Sequence, residues 1–288
     1  MRIGCAASIL AGIAVLSAAS SAQIVQLGAP GVVSERFKNV PARPSPRRSD
    51  GRISLGPYPG EIGMWLPYNG VNERVISPDT LTSPASAQFP DKSQIVEVPF
   101  QRWSKELYLY RRVNQFEPHS RCKPSGGPRQ FLTPYGVEFV DLPDLHRIYI
   151  LDLGGPHSYR TIHMDLQSHP KGIAPTAYGH SIGKWEGDSL VVDTIGFTEA
   201  FWFDRTGLPH TEQLHTVERF TRTDSKTMKY EVTIDDPGAY TATWSSSFLL
   251  GWDSEQELFE YICQDNNLAT GLLVGSQESV NRNSPIVP

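Results

Sequence analysis

From about Phe131 onward the chain is cut into short segments in which apolar and polar residues alternate, each closed by Gly, Asp, Asn or Pro. That period of two leaves little room for anything but strands joined by tight turns. In HRIYILDL, Ile148 and Ile150 share one face while Tyr149 and Leu151 take the other, and SYRTIHMD sets Arg160, Ile162 and Met164 against Tyr159, Thr161, His163 and Asp165. HSIGKWEGDSLVVDTIGF turns at Glu186, Gly187 and Asp188, a glycine between two acids being a hairpin signal. HTVERFTRTD, MKYEVTIDD, GAYTATWSSSF and LFEYICQDN continue the series, with turns at Asp224 to Lys226 and Asp236 to Gly238. Roughly eight or nine strands in about 135 residues is the size of a small antiparallel barrel. Successive hairpins favour an up-and-down barrel or a meandering sandwich over a parallel sheet. A barrel of about eight strands is filled by side chains or holds one small ligand, so function is expected inside it or at its mouth.

The first half reads differently. MRIGCAASILAGIAVLSAASSAQ has a basic start, an apolar stretch from Ile9 to Leu16 and small residues at Ser20 to Ala22, the pattern of a secretory signal cut after Ala22. Its apolar run falls short of the roughly 20 residues a membrane span needs, so an exported chain with no membrane span is expected. Residues 23–130 form a Pro-rich arm or layer without sustained periodicity, interrupted by the aromatic island GMWLPYNG, whose Trp65 and Tyr68 are expected to pack on the main domain. FQRWSKELYLYRRVNQF, residues 100–116, is the one short helix, with Trp103, Leu107, Tyr110 and Val113 at helical spacing for core contact. The barrel is expected over 131–268 and a tail over 269–288. A net charge of -5 and the lack of a basic cluster beyond Arg47 and Arg48 exclude nucleic acid as a partner. Once Cys5 leaves with the signal, Cys122 and Cys263 are the remaining cysteines. In an oxidising compartment they pair as one disulfide, the alternative being two separate thiols.

GKWEGDSLVVDTIGF, GLPHTEQLHTVERF, YEVTIDDPGAYTATW and EYICQDN, with RCKPSGGPR upstream, together resemble a largely uncharacterised family of secreted bacterial proteins. Its members share GxWEGDTLVVDTxGF, LHxxERF and EYxC motifs, and the likeness runs from about Arg121 to Asn266. Thr243 and Asp265 depart from that pattern, which commonly has Pro and Glu there. The resemblance implies a lipocalin- or calycin-like antiparallel barrel and supplies no reaction of its own.

Five histidines fall between residues 163 and 215: His163, His169, His180, His210 and His215. Imidazoles at this density suit acid–base chemistry near neutral pH or metal binding. No HExxH or CxxC spacing supports a metal, although His163, Asp165 and His215 could supply ligands. Asp193 alternates with Val191 and Ile195, a carboxylate on an apolar face that is either hydrogen-bonded or suited to proton transfer. His180, at the start of the preceding strand, is expected to approach it. In LHTVERF, Glu218 and Arg219 point to opposite faces, so one is directed inward and needs a partner: Arg219 with Asp193, or Glu218 with Arg222. The loop from Thr198 to Leu214 is long and aromatic, and its Phe201, Trp202 and Phe203 form either a lid at the barrel mouth or packing beneath the arm. No GxSxG elbow or phosphate-binding glycine loop is present.

The leading expectation is an exported or periplasmic enzyme without an organic cofactor. It performs lyase, decarboxylase or isomerase-type proton transfer on a small hydrophobic, aromatic compound in the barrel cavity. His180, Asp193 and His215 are its catalytic candidates, and Arg219, Glu218, Trp202, Phe203 and His163 its substrate-binding ones. A periplasmic carrier for an apolar ligand and a structural envelope protein are the alternatives.

Overall fold

The computed structural model describes residues 41–67, 98–114, 117–133, 135–204, 207–260 and 262–263. The signal segment, Tyr68 and the tail lie outside them. Nine strands close into one barrel in sequence order: β1 (Met64–Pro67), β2 (Val137–Leu142), β3 (Arg147–Asp152), β4 (Ser158–His163), β5 (His180–Glu186), β6 (Ser189–Ile195), β7 (His215–Arg222), β8 (Thr227–Asp235) and β9 (Trp244–Asp253). The mainly β barrel expected from the strand pattern is therefore present, and it is consistent with the lipocalin-like barrel that the resemblance implies.

An odd number of strands cannot alternate direction all the way round a closed ring, so at least one neighbouring pair must be parallel. That pair is β4–β5, held by only Ile162 opposite Ser181 and His163 opposite Ile182. A crossover over residues 164–179 joins the two strands and carries His169 to the outer face of the sheet. Its start is tied by the Arg147–Asp165 ion pair at 2.6 Å, and its end by the amide of Thr176 on the carbonyl of Gly196 at 3.0 Å. The next hairpin, β5–β6, has the two-residue turn Gly187-Asp188, where Gly187 takes φ +60° as a primed turn demands.

The arm turns out to be part of the barrel. Met64–Pro67 pairs along its whole length with β9 and at Trp65 with Val137 of β2, closing the ring that residues 131–268 alone leave open. Trp65 is buried, donates Nε1–H to the carbonyl of Leu55 at 2.7 Å and packs edge-on against Trp252. With β9 paired on both sides, no sheet edge remains for LFEYICQDN. Residues 254–260 and 262–263 accordingly run outside the strands, with Leu258 and Phe259 against Met64, Leu66 and Leu153. Cys263 is bonded to Cys122, with the two Cα atoms 5.5 Å apart.

Helix α1 (Arg102–Asn114) forms where its spacing places it, but buries a different face. Trp103 and Tyr110 are exposed, while Ser104 and Tyr108 are buried. The Trp103 indole donates to the carbonyl of Gly238 at 2.9 Å, a polar contact at the helix edge that apolar periodicity cannot reveal. Among the described residues no helix is long and apolar enough to cross a membrane.

The barrel interior is occupied by side chains. Phe131, from a buried 3₁₀ turn at Gly127–Leu132, enters one end and packs on Tyr230 and Phe220 with ring centroids 4.7 and 5.2 Å away, and Phe139 and Phe248 extend the stack. Beside these rings lies a buried polar network. Arg160 donates to Ser181 Oγ at 2.9 Å, to Thr194 Oγ1 at 2.7 Å and to both oxygens of Glu218, which also accepts from the Tyr230 hydroxyl at 2.9 Å.

Candidate active site

Strand alternation decides which groups face the interior. On β5, β6 and β7 the fully buried Ser181, Thr194, Thr216 and Glu218 point inward, so His180, Asp193 and His215 point outward. His163 at the end of β4 is on the same outer face, and the crossover lays His169 over them. The expected catalytic trio thus gathers in one place, and that place is the outer wall at the parallel seam rather than the barrel cavity.

The contacts form a continuous chain. Nδ1 of His180 lies 2.8 Å from Nδ1 of His169, Nε2 of His169 lies 2.8 Å from Oδ1 of Asp193, and Nε2 of His215 lies 2.9 Å from Oδ2 of Asp193. An ionised carboxylate only accepts, so both Nε2 atoms carry hydrogen. Neutral His169 then accepts at Nδ1 from the Nδ1–H of His180. This assignment leaves Nε2 of His180 and Nδ1 of His215 as basic lone pairs, one at each end. His215 is about a third exposed, and Asp193 is open to a similar degree (37% and 44% of their side chains). His163 stacks on His180 with ring centroids 4.7 Å apart, and its buried Nδ1 has no hydrogen-bond partner among the described residues.

The electrostatics agree with this protonation pattern. Burial works against ionised Asp193, but the hydrogen bonds from His169 and His215 outweigh it and hold its carboxyl below the usual range. Burial, then the neighbouring imidazoles His163 and His169, push His180 below 6.5 and keep it neutral. His163 is lowered likewise, first by burial and then by Arg147. Two imidazole nitrogens on one tetrahedral zinc would stand about 3.3 Å apart, given bonds of 2.0–2.1 Å. The 2.8 Å between His169 and His180 is a hydrogen-bond spacing. No group of three or more His, Cys, Asp or Glu among the described residues is arranged to hold a metal ion.

The other expected site residues are placed elsewhere. Glu218 faces inward as expected of one member of its pair, but its partner is Arg160, not Arg222. Arg222 instead donates to the carbonyls of Ser54, Gly56, Asp224 and Ser225 and lies against Trp65 and Trp252. Arg219 faces outward and pairs with Glu186, not Asp193. Trp202 and Phe203 are buried and form no lid. Arg111 of α1 lies 4.8 Å over the Trp202 ring, and Phe203 packs on buried His210 at 5.0 Å. The loop is therefore packing beneath the N-terminal segments, with Phe201 buried close against Gly126 and Gly127.

Sequence reasoning counted His169 among the histidines without giving it a role, since it lies in a segment with no period to orient it. It also passed over Arg160, whose place on the same face as Ile162 was the signal: a charge on a buried face requires a partner across the barrel. Comparison of the chain with protein-family models, with curated proteins and with solved structures yields no match, so the roles of these residues rest on their geometry.

Proposed function

We propose that this protein is an exported acid–base enzyme needing no organic cofactor, which carries out lyase, decarboxylase or isomerase-type proton transfer on a small, partly apolar compound bound on the outer wall of the barrel. The observation that carries this reading is the chain from His180 through His169 and Asp193 to His215, which sets an imidazole on each oxygen of one partly exposed carboxylate. Nδ1 of His215 takes the proton from substrate, and Asp193 stabilises the imidazolium that results. His169 and His180 are positioning residues: they fix the carboxylate and keep its second oxygen engaged. A positioned general base contributes about 10²- to 10⁴-fold to rate. The signal-like N-terminus and the Cys122–Cys263 bond support export.

The test is turnover of a panel of small hydroxylated aromatic compounds by the mature protein and by His215→Ala, alongside histidine NMR titration. Loss of at least about a hundredfold in kcat/KM is expected in the variant. Unchanged turnover in His215→Ala would sink the assignment. Binding without any turnover by the wild type would favour the carrier reading instead.

A further inference from the structure

A groove of about 480 Å³ lies on the outer face of β6 to β9, lined by Val191, Val217, Arg219, Glu231, Thr233 and Ser245 among others. Its relation to the histidine chain follows from register. Asp193 is the cross-strand partner of Val217, Val217 of Thr233, and Thr233 of Ser245, so one row of side chains runs from the carboxylate of the chain across the groove floor. Cross-strand partners have Cβ atoms about 4.5–5.5 Å apart, which leaves no intervening wall between Asp193 and Val217. The adjoining row is Val191, Arg219 and Glu231. His215 is two residues from Val217 on the same face of β7, about 7 Å along the strand.

We propose that this groove is the substrate-binding surface of the acid–base site, and that it selects an uncharged, hydroxylated compound with a flat apolar body over a carboxylate. The proposal rests on the acid–base reading above and narrows it. Val191 and Val217 give an aliphatic floor. Thr233 and Ser245 present hydroxyls, 3.0 Å apart, that both donate and accept. The three cations beside the groove are each engaged by a carboxylate: Lys184, the cross-strand partner of Val191, and Arg219 share Glu186, and Lys229 pairs with Glu231 at 2.8 Å. These three cations are balanced by Glu186, Glu231 and Asp193, so an incoming carboxylate meets no net positive charge and binds a cation only by displacing a carboxylate that already holds it. Arg219 is therefore a hydrogen-bonding group at the far end of the groove rather than an anion anchor, and decarboxylation leaves the set of reaction classes.

The experiment uses two near-isosteric probes, 4-hydroxycinnamamide and 4-hydroxycinnamate, titrated into the mature protein at neutral pH while backbone and histidine NMR signals are followed. The amide is expected to shift Val217, Thr233, Ser245 and Arg219 together with the His215 ring, and the carboxylate to bind about fivefold more weakly, the scale of an exposed charge contact. Val217→Trp fills the groove and should abolish the shifts, and Thr233→Val, a near-isostere, should weaken the amide alone by a few-fold. Equal or tighter binding of the carboxylate overturns the charge argument. Shifts that miss these positions, or that survive Val217→Trp, overturn the groove. The two readings fail separately: groove binding that persists in a wild type without turnover removes the catalytic reading and leaves the groove, whereas His215-dependent turnover without groove shifts removes only the groove.

Discussion

Strands β4 to β7 carry polar side chains on both faces, and alternate residues of the same four segments build two unlike networks. Inside, Arg160 on β4 spends its donors on Ser181 of β5, Thr194 of β6 and Glu218 of β7. Outside, His180 of β5, Asp193 of β6 and His215 of β7 are joined by His169 from the crossover. The inner network is sealed: the Arg160 and Glu218 side chains are each 1% exposed. The outer one is part open, with the His215 and Asp193 side chains 37% and 44% exposed. Wherever charge is buried its cost must be met by complete pairing, and complete pairing leaves nothing to react with. Chemistry is left to the face where pairing stops short.

Breaking the inner network should have the largest effect on stability. Glu218→Leu leaves the Arg160 guanidinium buried without its counter-ion and the Tyr230 hydroxyl without its acceptor, for a loss of about 3–5 kcal/mol in urea unfolding. The double variant Arg160→Met, Glu218→Leu should be more stable than either single one, since an apolar pair of similar volume removes the desolvation cost. A single-variant loss below about 1 kcal/mol would mean that the inner pair is wetter than its burial indicates. Next in size is the disulfide. Opening it with Cys122→Ser frees the segment that leads into the Phe131 plug, across a sequence separation of 141 residues, and should cost about 2–4 kcal/mol.

Acid should separate the two faces by a different route. Burial pushes His119 and His210 down from 6.5 to about 4, so the fold keeps both neutral while the unfolded chain protonates them near 6.5. Between pH 4 and 6 the unfolded state therefore binds more protons at these residues, and stability rises with pH. Asp152 opposes this. Burial raises its carboxyl from 3.8 to about 6, against hydrogen bonds from Tyr178 and Ser125, so the fold holds a proton that the unfolded chain releases. Two protons against one give a net slope of about 1.4 kcal/mol per pH unit across that window. His163 and His180, lowered first by burial, add to it in the same direction. Asp152→Asn removes the opposing group and should steepen the slope to about 2.7 kcal/mol per unit. A flat profile between pH 4 and 6 would show that these sealed groups do not titrate as their burial requires.

What the sequence disclosed follows the same division. Strands and turns were legible because side-chain alternation repeats the pleat, and Asp193 was set with Val191 and Ile195 for that reason, with His180 expected near the same end of the sheet. Which side was not legible. Val191 and Ile195 flank Asp193 as an inner face would, but Val191 lines the outer groove and Ile195 is only partly buried, so apolar neighbours did not mean the interior. Barrel closure by Met64–Pro67 could not be read from a four-residue strand in a Pro-rich arm. The parallel seam depends on the strand count being odd, and the count itself was uncertain by one until LFEYICQDN lost its place and MWLP gained one.

The smallest stability effect is expected where the functional effect is greatest. Asp193→Asn keeps the shape of the side chain on the outer face and removes a carboxylate that is 44% exposed, so the fold should lose less than about 1 kcal/mol, as for other exposed ion pairs. The histidine chain should nevertheless reorganise. An amide offers one acceptor and one donor where the carboxylate offers two acceptors, so His169 and His215 can no longer both donate to it. One of the two must turn its lone pair toward the new N–H, and ¹⁵N shifts of the imidazoles would report that change of tautomer directly. If the lone pair consumed is on His215, its Nδ1 becomes the protonated atom and the base is lost without any loss of structure. Unchanged tautomers with unchanged stability would mean that Asp193 does not organise the outer network. A loss of several kcal/mol would mean that the outer face is as structural as the inner one, and the contrast between the two faces would fall.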